Sequence, residues 1–234
     1  MGVLEDLASL RALCIELHDY QVRDPQLGKS LSGLYYAFKS LKFVTARTDD
    51  LLSGTYADVV SSSRADEACY LAESMLRSLH PVGDLLAQAV NLVALKSKHG
   101  RGSVSLATVL ADTALDARTA AALTKIRVHP GYDYIQEFTN ATKHREFIER
   151  AVLHDDNHHR IEFQPFTRRN GRQEPRKEFS VVVTEAVQLM SLVSDVLSLL
   201  VEKSRPWAGS APDPAGASSV SITATAQVPG FAMP

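Results

Sequence analysis

Asn140 and His144 stand four residues apart, with Lys143 and Arg145 beside them. In a helix that spacing puts the amide and the imidazole on one face within mutual reach. A histidine can exchange protons near neutral pH, and the two cations can hold a phosphate. The same residues also suit a helix C-terminus with no chemistry at all: Asn and His can bond the open carbonyls of a last turn, where cations interact favourably with the helix dipole.

Two further clusters carry chemically active side chains. His154, Asp155, Asp156, His158 and His159 bring together imidazoles and carboxylates, the groups that zinc, nickel and manganese accept. Neighbours in a strand point to opposite faces, and Asp-Asp-Asn is ordinary turn chemistry, so a solvated turn is expected and no metal, with His154, Asp156 and His158 as the ligand candidates. Arg160, Arg168, Arg169, Arg172, Arg176 and Lys177 outnumber Glu162 and Glu174 in the next stretch, with Phe163 and Phe166 interleaved. Arginine pairs with phosphate through two parallel hydrogen bonds and aromatic rings stack on bases, which makes this the best local nucleic-acid footprint in the chain. Its alternative is a hairpin whose phenylalanines face a core and whose charges are solvated. The chain has no GxxxxGK[ST] loop, no GxGxxG, no HExxH pair and no GxSxG elbow, so nucleotide hydrolysis, dinucleotide redox chemistry, zincin proteolysis and α/β-hydrolase chemistry have no motif behind them.

The text Tyr134-Ile-Gln-Glu-Phe-Thr-Asn140-Ala-Thr-Lys143-His144-Arg145 resembles the HEPN superfamily and its bacterial relatives, all-α bundles in which a polar residue and a histidine close one helix. For catalytic members the resemblance implies a metal-independent, cofactor-free ribonuclease at a dimer interface, in which the arginine of an Arg-x4-6-His motif holds phosphate and the histidine moves protons. Before His144 the matching positions hold Thr139, Phe138 and Glu137, none of them arginine. The resemblance therefore implies a catalytically degenerate module that can form a homodimer, and the residues themselves, not the resemblance, add the surface expected to contact RNA or a protein partner: Asn140, Lys143, His144 and Arg145 with the hairpin arginines Arg168, Arg169, Arg172 and Arg176. Cleavage by His144 and a purely structural or oligomerisation role are the alternatives. Arg11 and His18 do satisfy the spacing, with Ala12 where a polar residue often follows the arginine.

The elements that must position these residues are mainly helical. Leu4, Leu7, Leu10, Cys14 and Leu17 step by three and four, predicting a helix over 4–20. Asp24-Pro25 and Gly28 read as a break before a second helix over 30–52. Ser61, Ser62 and Ser63 are candidate caps for a long helix that Pro81 kinks or restarts and that ends in the polar loop at Lys98-His99-Gly100. Helices are expected over 106–112, 117–127 and 132–143, with His129 ending one of them before Pro130. A strand, turn and strand follow, then an Asn170-Gly171 hairpin with positive φ at both residues, giving a β insertion at about 146–180. Pro165 and Pro175 should lie at its edges. A last long helix reaches Lys203.

The expected class is thus a mainly α bundle over 1–204, with a small antiparallel hairpin or meander before the last long helix and a flexible low-complexity tail over 205–234. In that tail only Arg205 and Asp213 are charged, and 220–228 could form a strand against another surface. Of 234 residues, 45% are hydrophobic and 22% charged, and the net charge of -2 excludes a chain-wide electrostatic attraction to nucleic acid or anionic lipid. Glu185, Gln188 and Asp195 interrupt the most apolar stretch, so no membrane span is expected. The N-terminus lacks the features of a signal peptide, and Cys14 and Cys69 suit buried thiols in a reducing, cytoplasmic setting.

Overall fold

The computed structural model describes residues 3–20, 24–60, 63–144, 148–155 and 158–205. The expected tail therefore falls, beyond Arg205, outside the described residues, as do Ser61, Ser62, Arg145 and Asp156. Helix α1 (Val3–Tyr20) runs as its periodicity predicts. Asp24-Pro25, read as a break, instead starts α2 (Pro25–Leu51): the Asp24 carboxylate accepts the amide hydrogens of Gln26 (2.7 Å) and Leu27 (3.1 Å), and Pro25 occupies a first-turn site that needs no N–H. Gly28 lies inside α2 and makes no loop. A Cβ there would sit 2.9 Å from Nε2 of His18, so the glycine allows the α1 imidazole to lie against the α2 backbone.

A short helix, α3 (Tyr56–Val60), was not foreseen; five residues are too few to show a period. Helix α4 (Arg64–Leu79) follows Ser63, which holds the cap position without a side-chain cap hydrogen bond. Pro81 restarts the chain as α5 (Val82–Val93). Buried Asn91 then organises the polar loop, its amide donating to the His99 carbonyl and its oxygen accepting the His99 N–H, both at 3.0 Å. Helix α6 (Leu106–Leu110) stops short of Asp112, whose carboxylate is engaged by Lys98 (2.7 Å), His99 (2.7 Å) and the Ala114 amide (2.8 Å). Asp116 caps α7 (Ala117–Arg127) through the Thr119 amide at 3.1 Å. His129 opens α8 (Pro130–His144) rather than closing a helix, its Nδ1 accepting the Gly131 amide.

Strands β1 (Arg150–Asp155) and β2 (His158–Phe163) form an antiparallel ribbon. Beyond it β3 (Phe166–Thr167) pairs with β4 (Gln173–Glu174), and β5 (Lys177–Glu178) returns to β2 before α9 (Phe179–Ser204). By length and composition α9 could cross a membrane. In the fold its stripe of Val182, Ala186, Leu189, Val193, Val196 and Leu200 is buried against α1, α5, α7 and α8, while Gln188 and Asp195 face outward. The structure is thus the mainly α architecture with strands before a last long helix that the sequence predicts.

Aromatic rings fasten the strands to the helices. Phe138 meets Phe163 edge-on at 5.2 Å and Phe166 at 5.9 Å, Tyr134 meets Phe166 at 5.7 Å, and Phe163 continues to Phe179 at 6.5 Å. Such pairs add to the large apolar area that each ring buries. Phe138→Ala should therefore cost about 3–5 kcal/mol, read as a lower denaturant midpoint. Asp112 supplies a pH signature. Hydrogen bonds from Lys98 and then the Ala114 amide hold its carboxyl down to about 2 from an ordinary 3.8, against desolvation and with help from His99. A depressed carboxylate stabilises above its unfolded value, so this contribution should fade as pH falls from about 4 to 2, and thermal melts of Asp112→Asn should lack that part of the slope.

Candidate functional site

Asn140 is half-buried in the last turns of α8, and Lys143 and His144 are exposed at its end. No hydrogen bond among the described residues joins Asn140 to His144. The middle of α8 is tied to the C-terminal cap of α4, the Gln136 amide donating to the His80 carbonyl at 2.7 Å. Burial, and then the Lys143 ammonium, hold the His80 imidazole below its ordinary value. Asp133, Glu137, Asn140 and His144 follow one another along a single face of α8. The first two of these receive the β3–β4 hairpin.

The hairpin turn differs from the expected one. Only Gly171 has positive φ (82°); the Arg168 amide donates to the Arg172 carbonyl at 2.8 Å, and the Gly171 amide donates to the Arg168 carbonyl at 3.0 Å. This is a three-residue connection, a turn followed by a left-handed glycine. Its charge is mostly neutralised within the fold. Arg168 is clamped between Glu174 and Asp133, and Arg176 lies 3.7 Å from Glu162. Arg160 lies 3.5 Å from Glu178, Lys177 bonds Glu185 at 2.6 Å, and the Arg169 amide donates to Glu137 at 2.7 Å. Phe163 and Phe166 are core residues, unavailable for stacking on a base. Among the described residues, only the guanidinium groups of Arg169 and Arg172 of the hairpin arginines lack a carboxylate partner. Asp133 and Glu185 come from the two flanking helices, which a local count of charges does not see.

A different face combines cations with open aromatic rings. Between α1 and α2 runs a groove with a section of ≈ 340 Å³ bordered by Arg11, Ile15, His18, Tyr35 and Tyr36, continuing into one of ≈ 380 Å³ that adds Lys42. Arg11 and His18, seven residues apart on α1, share this groove. Tyr36 and Phe43 are 63% and 64% exposed on the same side of α2, and Lys39 Nζ sits 5.7 Å from the Tyr36 ring centroid. Cys14 lies at the groove's floor, its Sγ donating to the Leu31 carbonyl at 3.7 Å. Burial pushes that thiol up to about 12, which keeps it protonated and unreactive at neutral pH. The sequence signal for this surface was the spacing Tyr36, Lys39, Phe43, opposite the buried set Leu34, Phe38 and Leu41.

Of the metal candidates, Asp156 lies outside the described residues and His158 is exposed opposite Asp155 in the register. His154 instead meets His159, Nδ1 to Nδ1 at 2.6 Å. Desolvation and then His159 hold His154 below its ordinary value, which favours the neutral ring. Among the described residues no three His, Cys, Asp or Glu side chains converge as a ligand set. No protein-family model, curated protein or solved structure matches the chain.

These contacts separate structural from available arginines. Arg168→Ala strands Glu174, which is 8% exposed, and should cost about 1–3 kcal/mol. Arg169→Ala and Arg172→Ala should stay within about 0.5 kcal/mol of the wild type in the same urea titrations.

Proposed function

We propose that the chain is a HEPN-like helical module that binds single-stranded RNA across its α1–α2 face and does not cleave it. The observation that carries this reading is the alternation of rings and cations on α2, where exposed Tyr36 and Phe43 bracket Lys39 beside the groove that Arg11 and Lys42 border. Rings offer stacking surfaces that tolerate any base, and the cations follow a phosphate backbone. Asn140, Lys143 and His144, with Arg169 and Arg172, are the remaining polar candidates. The unpaired thiols of Cys14 and Cys69 fit a reducing, cytoplasmic setting.

A second reading has its own observation. Arg11 and His18 have the order and spacing that the resemblance associates with catalysis, and both border one groove. Metal-independent cleavage would then fall to this pair before His144, which has no arginine ahead of it.

Titration of labelled single-stranded RNA in EDTA at several salt concentrations tests both readings. Arg11→Ala, Lys39→Ala and Lys42→Ala should each flatten the dependence of log K on log salt by about 0.7, the value for one lost phosphate contact on a single strand. Tyr36→Ala and Phe43→Ala should weaken binding by about 1–3 kcal/mol and leave the slope unchanged. RNA cut by the wild type and spared by His18→Ala would replace the binding module with the nuclease; cutting lost only in His144→Ala would return the chemistry to α8. No binding at low salt sinks the RNA reading in favour of a protein partner. Homodimerisation, implied by the resemblance, is measured on the same samples by light scattering.

A further inference from the structure

His154 and His159 occupy registered positions across the β1–β2 ribbon, on the same side of it. Their Nδ1 atoms face each other at 2.6 Å, with the rings at 77°. The far nitrogen of His159, Nε2, lies 3.2 Å from the carbonyl oxygen of Gly54. A carbonyl can only accept, so Nε2 carries the hydrogen and the neutral ring presents a lone pair at Nδ1. One proton, held at His154, can fill the space between the two nitrogens. An imidazole that donates its outer N–H to a backbone carbonyl and aims its bare nitrogen at a shared point has the orientation of a metal-bound histidine. Tyr56, edge-on to His154 at 4.3 Å between ring centroids, walls the position on one side.

We propose that His154 and His159 form a surface site for a borderline divalent transition metal of the copper, nickel or zinc type, held through both Nδ1 atoms with solvent completing its coordination. Imidazole suits these ions, and the donor set lacks the oxygen ligands that magnesium and calcium need. Two metal–nitrogen bonds of about 2.0–2.1 Å at a tetrahedral angle set the nitrogens about 3.3 Å apart. The rings must then part by less than an ångström, a rotation open to the exposed His154 side chain. Both imidazoles bind as neutral rings: His159 keeps its hydrogen at Nε2, and His154 takes one there as its Nδ1 turns to the metal. The site exchanges His158 for His159 among the residues the sequence singles out, since neighbours along β2 point to opposite faces. A bound ion would also tie the ribbon to the Gly54 segment ahead of α3.

The test is calorimetric titration of the full-length, untagged protein with Cu²⁺ in chelator-free buffer, repeated on His154→Ala, His159→Ala and His158→Ala. Electron paramagnetic resonance reports the nitrogen ligands. One equivalent should bind with two imidazole nitrogens, weakening about tenfold or more in either of the first two variants and less than about twofold in the third. Saturating Cu²⁺ should raise the wild-type Tm and leave that of His154→Ala unchanged. An equal loss in His158→Ala, full affinity in His154→Ala, or no one-equivalent site overturns the proposal. His154 is exposed, so its variant decides the matter even if His159→Ala disturbs the ribbon. No residue here belongs to the α1–α2 face, and failure of the metal site leaves the RNA reading standing.

Discussion

A helix of 26 residues that is apolar enough for a bilayer can stay in water only if its stripe is enclosed, and α9 imposes that requirement on everything around it. Helix α1 lies along it from the other end of the described chain, α7 and α8 cover further sides, and β2 closes on its first turns. The first and last helices are thereby neighbours, with Arg205 reaching Glu16 at 3.1 Å. The strands sit where they do because β5 leads directly into Phe179, a buried residue that opens α9 and extends the ring cluster of Phe138, Phe163 and Phe166. One long burial problem thus orders helices that are far apart in sequence.

Charge is arranged by the same packing. Arg150 meets Glu73 of α4, Lys177 meets Glu185 of α9, and Arg168 meets Asp133 of α8. Each pair joins the β insertion to a helix, and the last two remove cations from the surface that the basic run over 160–177 suggests. A part-buried arginine left without its carboxylate would be costly, so these residues hold the insertion in place before they do anything else. Among the described residues the exposed rings and lysines of α2 have no such carboxylate partner, and for that reason they stand out as a surface.

Much of the fold was legible because its signals are local. The bounds expected for α7 and the three- and four-residue steps of α9 follow from neighbouring residues, and the structure keeps to them closely. Gly28 was misread because a glycine that lets two helices touch looks, in one dimension, like a glycine that turns the chain. Ser63 holds the cap position without making the cap hydrogen bond, and Asn170-Gly171 sits in a turn that asks positive φ of the glycine alone. The candidate surface was harder to see. Tyr36 and Phe43 form a second apolar stripe on α2, and hydrophobicity does not say which stripe is inside. His154 and His159 become partners only through the register of two strands.

The contact between Gly28 and His18 reaches beyond this one chain. An imidazole at 18 lies in the space that any side chain at 28 would occupy. The two positions are one steric unit divided between two helices. A methyl group at 28 would push the tip of the His18 ring aside, so a change at either position alters the room left to the other. In a family alignment this would register as covariation between a glycine and a histidine, a pattern easily taken for shared chemistry when its origin is shared volume.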